Sequence, residues 1–372
     1  MALAEDIFYM KSALNMARRG LGRVAPNPAV GCVIVKDGIV LARARTADGG
    51  RPHAETQALQ QAGKGAKGST VYVSLEPCAH HGQTGPCTEA LINAGISRVV
   101  VACHDHDPRT SGQGIEQLRE AGIEVDIGVL EDEARALNLG FFLSIVKKRP
   151  FVTLKVATSA DEKVTGGAQR WITGPEARAR SHLLRSSHDA IMAGIGTVLA
   201  DDPLLTTRVP GLEHHIIRVV LDNHSRVPHD SQLIRTASKL DPVIVLHSCQ
   251  EGEAGDFPER EGVMLLRAEN LKEGLEKLAG MGVTRLMVEG GPKVHAAFIA
   301  AGLYDALAWF KAPHEIGEAG TPALKTGSFS DICDDMVLSE KIACGPDTLE
   351  VYTKPEAATH AFFPTIPVKP VV

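Results

Sequence analysis

The chain has 372 residues, of which 44% are hydrophobic, and a formal net charge of −6. This length predicts two or three domains, and the apolar content excludes a disordered chain. The acidic balance argues against nonspecific nucleic-acid binding, and the chain lacks a membrane-length apolar run and a signal-peptide pattern, so we expect a cytoplasmic protein. Seven cysteines are an odd number for a disulfide framework, which favours thiol or metal roles in a reducing compartment.

The first part of the chain alternates between helical and strand patterns. Apolar residues at helical spacing predict a helix over 5–19, and Lys36-Asp37-Gly38 is typical of a turn between strands at 30–35 and 39–44. Further helices are predicted at 53–61, 87–94, 115–121 and 131–146, and further strands at 70–75, 99–103 and 125–130. This alternation predicts an α/β sandwich whose sheet is mostly parallel after the first hairpin.

Charge and a proline at residues 147–150 interrupt the pattern, so we expect the domain boundary there. A second alternation follows, with strands predicted at 151–157, 189–193, 216–221, 243–247, 284–289 and 304–311, and helices at 175–186, 271–279 and 293–301. We therefore expect one domain over residues 1–147 and another over 150–356. The proline-bearing residues 357–372 are predicted to form a loosely ordered tail.

One imidazole and two thiols stand out as metal ligands. His53, Cys78 and Cys87 match the donor set of a catalytic zinc site, whose fourth position stays open for water with a pKa near ~7. Glu55 follows His53 by two residues at a predicted helix start, roughly 200° around an ideal helix, so we do not expect both to bind one ion. Glu55 is therefore predicted to move protons, the role of the corresponding acid in zinc nucleobase deaminases.

Other interpretations of these residues stay open at this point. Cys78 and Cys87 could form a disulfide, or they could belong to a structural zinc site that takes His80 or His81 as its fourth ligand. These two histidines could instead lie near a substrate phosphate or simply face solvent.

Several motifs in this half occur together with the ligand set. They are Pro26-Asn27-Pro28, Gly31-Cys32-Val33-Ile34, His53-Ala54-Glu55 and the eight residues that separate Cys78 from Cys87. Together they resemble the deaminase half of the bifunctional RibD family of riboflavin biosynthesis, and the resemblance covers about residues 5–355. It implies a cytidine-deaminase-like α/β/α sandwich with Zn2+ on His53, Cys78 and Cys87, Glu55 as proton donor, and Asn27 in the substrate pocket. The implied reaction removes ammonia from a diaminopyrimidine that carries a ribosyl phosphate.

Motifs in the second half resemble the reductase half of the same family, which has a dihydrofolate-reductase-like α/β fold. They are Trp171-Ile172-Thr173, Leu183-Leu184-Arg185, residues 197–203 and Glu289-Gly290-Gly291-Pro292. The resemblance implies that NADPH reduces the opened ribosyl group to ribityl. The residues it implies in cofactor binding are Ala157, Trp171, Thr197, Asp201, Asn223, Gly291, Pro292, Lys293, Val294, His295, Ala296 and Ala297. Those it implies in substrate binding are Gln169, Arg185, Leu205, Arg208 and Glu289.

Each of these residues also has a simpler explanation. The glycine turns after the strands could be tight connections, Trp171 a core residue, Arg185 and Arg208 solvated side chains, and Asp201 a helix cap. One residue departs from the family pattern, because Glu162 stands where the family commonly has a glycine able to adopt positive φ. This departure predicts altered NADPH affinity.

The leading hypothesis is a cytoplasmic enzyme that acts twice on a phosphorylated pyrimidine and forms a homo-oligomer. A second hypothesis keeps the deaminase but makes the C-terminal half non-catalytic. A third, a nucleic-acid-binding or editing module, is opposed by the acidic charge and by the long segment between the two cysteines.

Overall fold

The computed structural model describes residues 2–82, 85–108, 110–165, 171–249 and 260–355. The chain forms two compact units, which divide between Lys147 and Lys148. Residue Gln169 and the expected tail at 357–372 lie outside the described residues. Within the described ranges, no helix has both the length and the apolar character that a membrane crossing requires.

The N-terminal unit is an α/β structure around one five-stranded sheet. Its elements are α1 (Ala2–Arg18), β1 (Gly31–Lys36), β2 (Ile39–Arg45), α2 (Ala54–Ala62), β3 (Thr70–Val73), α3 (Cys87–Asn93), β4 (Arg98–Val101), α4 (Gln113–Glu120), β5 (Glu124–Ile127) and α5 (Glu131–Val146). The strand order is β2-β1-β3-β4-β5. β1 is antiparallel to β2 and β3, whereas β3, β4 and β5 are parallel. The expected fold class of this half is confirmed.

Helix α1 packs tightly on β1. Its buried residues Met10, Ala13, Leu14 and Ala17 recur at helical spacing and form one apolar face. A Cβ atom on Gly31 would lie only 1.9 Å from the carbonyl oxygen of Ala13. The close approach therefore requires glycine at the start of β1.

The C-terminal unit is built on a nine-stranded sheet. Its elements are β6 (Phe151–Thr158), β7 (Lys163–Thr165), α6 (Pro175–Arg185), β8 (Ala190–Gly194), α7 (Ile195–Asp201), β9 (Ile217–Leu221), α8 (Gln232–Arg235), β10 (Val243–His247), β11 (Val263–Arg267), α9 (Leu271–Gly280), β12 (Arg285–Val288), α10 (Pro292–Ala300), β13 (Ala306–Lys311), β14 (Thr321–Pro322), α11 (Phe329–Asp334), β15 (Val337–Cys344) and β16 (Asp347–Thr353). The order is β11-β10-β9-β8-β12-β6-β13-β16-β15, and β14 pairs separately with β7. Neighbours are parallel from β11 to β13, and β16 pairs antiparallel with β13 and β15.

Several of these elements were not expected from the sequence. They are strands β7, β11, β14, β15 and β16 and the short helices α7, α8 and α11. Strand β15 lies at the sheet edge and is exposed along most of its length, so its residues carry no alternation between buried and exposed positions. Without that alternation the pattern of β15 does not indicate a strand.

Candidate functional sites

Three potential metal ligands of the N-terminal unit converge near the carboxyl end of β3. His53 is the N-cap of α2, Cys78 lies in the loop after β3, and Cys87 is the first residue of α3. Nδ1 of His53 lies 3.6 Å from Sγ of Cys78 and 3.4 Å from Sγ of Cys87. All three donor atoms lie within 4.8 Å of one another. The fold therefore brings together the three residues whose types suggested a zinc site.

The geometry and chemistry of these donors fit a zinc ion. Zn–S and Zn–N bonds at tetrahedral angles would separate sulfur from nitrogen by roughly 3.6 Å. Both cysteines are free thiols, so the disulfide alternative is not realised. The hydrogen bond from the Cys87 thiol has the largest effect on the pKa of Cys78 and lowers it. Burial opposes this shift, but further hydrogen bonds from His53 and from the backbone N–H of Cys87 bring the pKa of Cys78 to about 4. This favours the thiolate, which is the form that binds metal.

The two neighbouring histidines make other contacts. Nδ1 of His80 lies 3.3 Å from Oγ1 of Thr110. The more exposed His81 places Nε2 at 3.0 Å from Oε1 of Glu89. Among the described residues the cluster holds three protein ligands, which matches a catalytic rather than a structural zinc site.

Glu55 is the buried carboxylic acid of this cluster. It lies in the first turn of α2, is 3% exposed, and hydrogen-bonds the thiol of Cys87. Burial, together with the negative charge of Cys78, raises the pKa of Glu55 above its ordinary value. A carboxyl group with a raised pKa takes up a proton more readily than an ordinary carboxylate, which suits it to transfer protons.

The cluster borders a cavity of about 440 Å³, a volume within the usual range for small-molecule sites. His53, Glu55 and Cys78 line it, and so does Asn27. Nδ2 of Asn27 donates to the carbonyl oxygen of Gly50 at 2.6 Å, which orients the amide. Gly50 has a φ of +87°, and a Cβ atom there would lie 2.8 Å from Asn27, so this contact requires glycine.

Glu76 is a structurally important residue that the motifs did not single out. It lies between β3 and the first cysteine ligand and is 3% exposed. Its carboxylate accepts the backbone N–H groups of Asp105 at 3.2 Å, Gly112 at 3.1 Å, Gly114 at 3.0 Å and Ile115 at 3.4 Å. These bonds fix the loop after β4 and the start of α4. The one feature of the sequence that could have indicated this role is the position of an acidic residue at the end of an apolar strand.

Replacing Glu76 by alanine is expected to destabilise the N-terminal unit by roughly 3 kcal/mol, because several buried N–H groups lose their acceptor. Deamination should fall at least ~10-fold, since the loop that Glu76 holds lines the cavity. Urea unfolding and initial rates measure the two effects. Glu116→Ala, an exposed change on the same helix α4, is the control and should alter neither. Wild-type stability of Glu76→Ala would show that the loop does not depend on this carboxylate.

Asp105 is a second acidic residue in the cavity wall that the sequence did not indicate. It is 6% exposed and lines the cavity beside Asp107. Burial raises the pKa of Asp105 to about 7, although hydrogen bonds from backbone N–H groups partly oppose this. The cavity thus contains two acids, Glu55 and Asp105, whose pKa values are raised by burial.

In the C-terminal unit a charged cluster joins α6, β6 and the end of β12. Nε and Nη2 of Arg185 donate to the two carboxylate oxygens of Glu289 at 2.6 and 2.9 Å. Nζ of Lys155 lies 3.7 Å from Oε2 of the same carboxylate. Burial alone would raise the pKa of Glu289, but the charges of Lys155 and Arg185 outweigh it and lower the pKa to about 2. We refer to Lys155, Arg185 and Glu289 as the Arg185–Glu289 cluster.

Two further predicted substrate residues lie beside this cluster. Arg185 also donates to the carbonyl oxygen of Thr206 at 2.8 Å, next to the buried Leu205. Leu205 has a φ of +51°, which is uncommon for a bulky side chain. Nη2 of Arg208 lies 3.2 Å from Nε2 of His182. Burial and the charges of Arg185 and Arg208 lower the pKa of His182 to about 4, so His182 is neutral near pH 7 and the arginines supply the positive charge.

The two glycine turns of this unit meet at α10. A Cβ atom on Gly194 or Gly290 would lie 2.6 or 2.5 Å from Val294. Gly194 and Gly290 therefore permit the close packing of α10 against these two turns. The predicted cofactor residues Thr197 and Asp201 lie on α7, and residues 291–297 form the N-cap and first turns of α10.

The remaining predicted cofactor and substrate residues are spread over the unit. Ala157 is half-buried on β6. Trp171 is 54% exposed, with the Arg178 guanidinium 5.1 Å from the centre of its ring, so it is not a core residue. It borders a different cavity from the one that Asn223 lines. Gln169 lies outside the described residues.

Glu162, the departure from the family pattern, does adopt a left-handed backbone with a φ of +54°. Its carboxylate accepts N–H groups of Phe329 at 2.9 Å and Ser330 at 3.4 Å, at the start of α11. It also accepts the Ser330 hydroxyl at 3.0 Å. These bonds offset the cost of the conformation, which is of the order of 1 kcal/mol for a non-glycine residue.

Comparison with known protein families divides the chain in the same way. Residues 3–103 match the cytidine and deoxycytidylate deaminase zinc-binding region, and residues 150–348 match the RibD C-terminal domain. Riboflavin biosynthesis protein RibD of Aquifex aeolicus is 44% identical over 317 residues, which cover 84% of this chain and 88% of that protein. RibD of Escherichia coli is 37% identical over 331 residues, or 84% and 89% of the two chains.

Solved structures give the same result over nearly the whole length. RibD of Acinetobacter baumannii (form 1) has a TM-score of 0.83 and 34% identity, covering 94% of this chain and 99% of that one. The diaminohydroxyphosphoribosylaminopyrimidine deaminase/5-amino-6-(5-phosphoribosylamino)uracil reductase of Thermotoga maritima has a TM-score of 0.85 and 32% identity, covering 95% and 100%. With a zinc-type ligand set in one unit and a RibD C-terminal domain in the other, this chain belongs to the RibD family and is a bifunctional deaminase and reductase of riboflavin biosynthesis.

Proposed function

We propose that the N-terminal unit removes ammonia hydrolytically from a diaminopyrimidine bearing a ribosyl phosphate, and that the C-terminal unit then reduces the ribosyl group to ribityl with NADPH. The observation that carries the first half is the buried Glu55 beside His53, Cys78 and Cys87. The Thermotoga maritima relative is named for both activities and for both types of substrate.

In the deaminase unit, His53, Cys78 and Cys87 would hold zinc. When bound, zinc supplies a Lewis acid and lowers the pKa of water to near ~7. Glu55 takes one proton from the attacking water and delivers it to the ring nitrogen. It then takes the second proton from the new hydroxyl group and delivers it to the amine, which leaves as ammonia while the carbonyl forms. Its raised pKa makes both transfers feasible, and its burial keeps bulk water away from the proton. Asn27 contacts the pyrimidine from the cavity wall.

In the reductase unit, the Arg185–Glu289 cluster and Arg208 bind the phosphorylated substrate, together with Leu205 and Gln169. Lys155, Arg185 and Arg208 outnumber the single negative charge of Glu289, which suits a phosphate, and guanidinium groups bind phosphate well through paired donors. NADPH supplies the hydride when it is bound. Ala157, Trp171, Thr197, Asp201, Asn223 and residues 291–297 hold that cofactor and orient it.

We place this enzyme in the cytoplasm as a homo-oligomer that binds no nucleic acid. The net charge of −6 supports the last point, because nonspecific nucleic-acid binding requires a basic surface. Gel filtration with light scattering tests the oligomeric state. A filter-binding assay with RNA at low salt tests whether the protein binds nucleic acid.

The proposal as a whole is tested by mass spectrometry of the product formed with and without NADPH. Without NADPH the product should show the mass change of ammonia loss and water gain. With NADPH it should also gain two hydrogens. If NADPH adds no further mass change, the C-terminal half is non-catalytic, as the second hypothesis states. If neither change occurs, the assigned substrate is wrong.

Arg208→Ala is expected to raise the KM of the reduction by about 10- to 100-fold, because a charged hydrogen bond to phosphate is lost. Deamination should be unchanged, because Arg208 belongs to the C-terminal unit. Separate initial-rate assays of the two reactions measure this. Arg260→Ala, an exposed arginine of the same unit, is the control. A loss of deamination in Arg208→Ala would contradict the assignment of reactions to units.

A further inference from the structure

The cavity of the deaminase unit lies at one edge of the five-stranded sheet. Strands β2, β3 and β4 all end at this edge, because β1 is antiparallel to both β2 and β3 and because β3 is parallel to β4. Most of the residues that line the cavity come from segments 46–55 after β2 and 75–82 after β3, and from Asp105, Asp107 and Thr110 after β4. Because β3 lies between β2 and β4 in the strand order, the segments that follow β2 and β4 border the cavity from opposite sides.

The charges of the lining residues are distributed unevenly. Asp105 and Asp107, the two acids that follow β4, are on one side, whereas Arg51 is on the other side, in the segment that follows β2. Among the described lining residues Arg51 is the only arginine or lysine. An arginine is always protonated, and its planar guanidinium group presents paired donors that match the oxygens of a phosphate. The cavity thus has one side that attracts a phosphate group and another that repels it.

The position of Arg51 ties it to the candidate zinc site. Arg51 is half-buried and precedes the ligand His53, the N-cap of α2, by two residues. A Cβ atom on Gly82 would lie 3.5 Å from Nη2 of Arg51, so the guanidinium group lies against the loop that joins Cys78 to Cys87. Arg51 therefore forms part of the same cavity wall as the segments that carry the metal ligands.

The two histidines of that loop are weaker candidates for binding a phosphate. His80 lines the cavity, but its Nδ1 lies 3.3 Å from Oγ1 of Thr110, and an imidazole is positively charged only when it is protonated. His81 is not among the described residues that line the cavity, and it contacts Glu89. Arg51 is therefore the described residue that supplies a permanent positive charge to the cavity.

The proposed substrate carries groups that match both sides of the cavity. Its ring bears amino groups, which donate hydrogen bonds and suit acidic side chains, whereas its ribosyl phosphate bears negative charge and requires a cation. The reaction takes place on the ring, so the phosphate is a remote group whose contacts are the same before and during the reaction. Contacts of this kind lower KM and leave kcat unchanged.

We propose that Arg51 binds the ribosyl phosphate of the deaminase substrate and thereby makes this unit selective for phosphorylated diaminopyrimidines. The assignment rests on the proposed deamination of that substrate. It makes Arg51 a determinant of substrate affinity that takes no part in proton transfer.

The test measures deamination of two substrates by the full-length wild type and by Arg51→Met. The substrates are the diaminopyrimidine that carries a ribosyl phosphate and the same compound after removal of the phosphate. Methionine keeps an unbranched apolar stem but removes the charge and the donors. The KM of the phosphorylated substrate is expected to rise about 10- to 100-fold, with kcat unchanged, because charged hydrogen bonds to phosphate are lost. The KM of the dephosphorylated substrate should be the same in both proteins.

Arg51→Lys tests the same point if the methionine variant folds poorly. It keeps the charge without the paired donors, so the KM of the phosphorylated substrate should lie between those of the wild type and Arg51→Met. Arg43→Ala, an exposed arginine on β2 outside the cavity lining, is the matched control and should change neither KM. If replacing Arg51 leaves the KM of the phosphorylated substrate unchanged, or raises the KM of both substrates equally, the assignment is overturned. If the wild type deaminates neither substrate, the proposed deaminase function fails instead.

Discussion

Glu55→Gln is expected to abolish deamination by this protein while leaving its zinc content unchanged. The carboxyl group is buried beside the ligand set but is separate from it, so its loss removes proton transfer without removing a metal donor. General acid–base catalysis by one group contributes about 10²- to 10⁴-fold, and at least that decrease should appear in kcat. Metal analysis of the purified variant and the rate of ammonia release measure the two quantities.

The matched control is Glu89→Gln, an exposed acid on α3 that contacts His81. This variant should deaminate normally. Reduction of an already deaminated substrate should be normal in both variants, because the C-terminal unit is untouched. Normal deamination by Glu55→Gln would mean that another group moves the proton, and Asp105, with its pKa of about 7 in the same cavity, would be the first candidate.

Glu289→Gln is expected to reduce the reductase activity at least ~100-fold and to destabilise the C-terminal unit. The neutral amide no longer balances Arg185 and Lys155, which then lose the orientation that substrate binding requires. A pKa of about 2 against an ordinary value of 4.5 corresponds to about 3 kcal/mol, at about 1.4 kcal/mol for each pH unit. Urea unfolding at neutral pH measures the loss of stability.

The pH dependence of that stability has a definite sign. Because the folded-state pKa of Glu289 lies below its ordinary value, its contribution is complete above pH ~4.5 and is lost as the pH falls towards about 2. The difference in stability between the wild type and Glu289→Gln should therefore be constant from pH ~5 to ~7 and narrow at lower pH. A difference that widened on acidification would contradict the ion pair.

The variant Glu350→Gln is the control that distinguishes a loss of stability of the C-terminal unit from a loss of its reductase activity. Glu350 lies on β16 between Lys311 and Lys341. Burial alone would raise the pKa of Glu350, but hydrogen bonds from the two lysines outweigh burial and lower the pKa to about 2, as in Glu289. This variant should lose stability and show the same acid dependence. Its reductase activity, measured where it is fully folded, should stay near that of the wild type. A similar loss of activity in both variants would indicate that Glu289 acts only through stability.

The candidate zinc site is the part of this protein that the sequence predicts best. His53 is the N-cap of α2 and Glu55 lies in its first turn, so short-range spacing determines how these two side chains lie relative to each other. The identity of the donors then restricts the metal, because one imidazole and two thiols suit zinc. The α/β class of both halves could be predicted for a similar reason, since buried parallel strands are continuous apolar runs.

Contacts between distant segments could not be predicted in the same way. Nothing in the surroundings of Glu76 along the chain shows that it accepts N–H groups from residues 105 and 112–115, and nothing near Glu162 shows that it caps α11. Strand β15 was missed because an exposed edge strand needs no apolar alternation. In each case the stabilising partner lies in another element, and only the folded chain brings it close.

The sequence by itself therefore determined the fold class and the candidate metal donors with an acid beside them, because these depend on residue type and short-range spacing. Only the tertiary structure decided that Arg185 and Glu289 neutralise each other and that Glu76 accepts four backbone N–H groups from distant residues. The physical reason is that burial and hydrogen-bond partnership are properties of the packed molecule. A side chain acquires them only when strands and helices far apart in the chain exclude water around it.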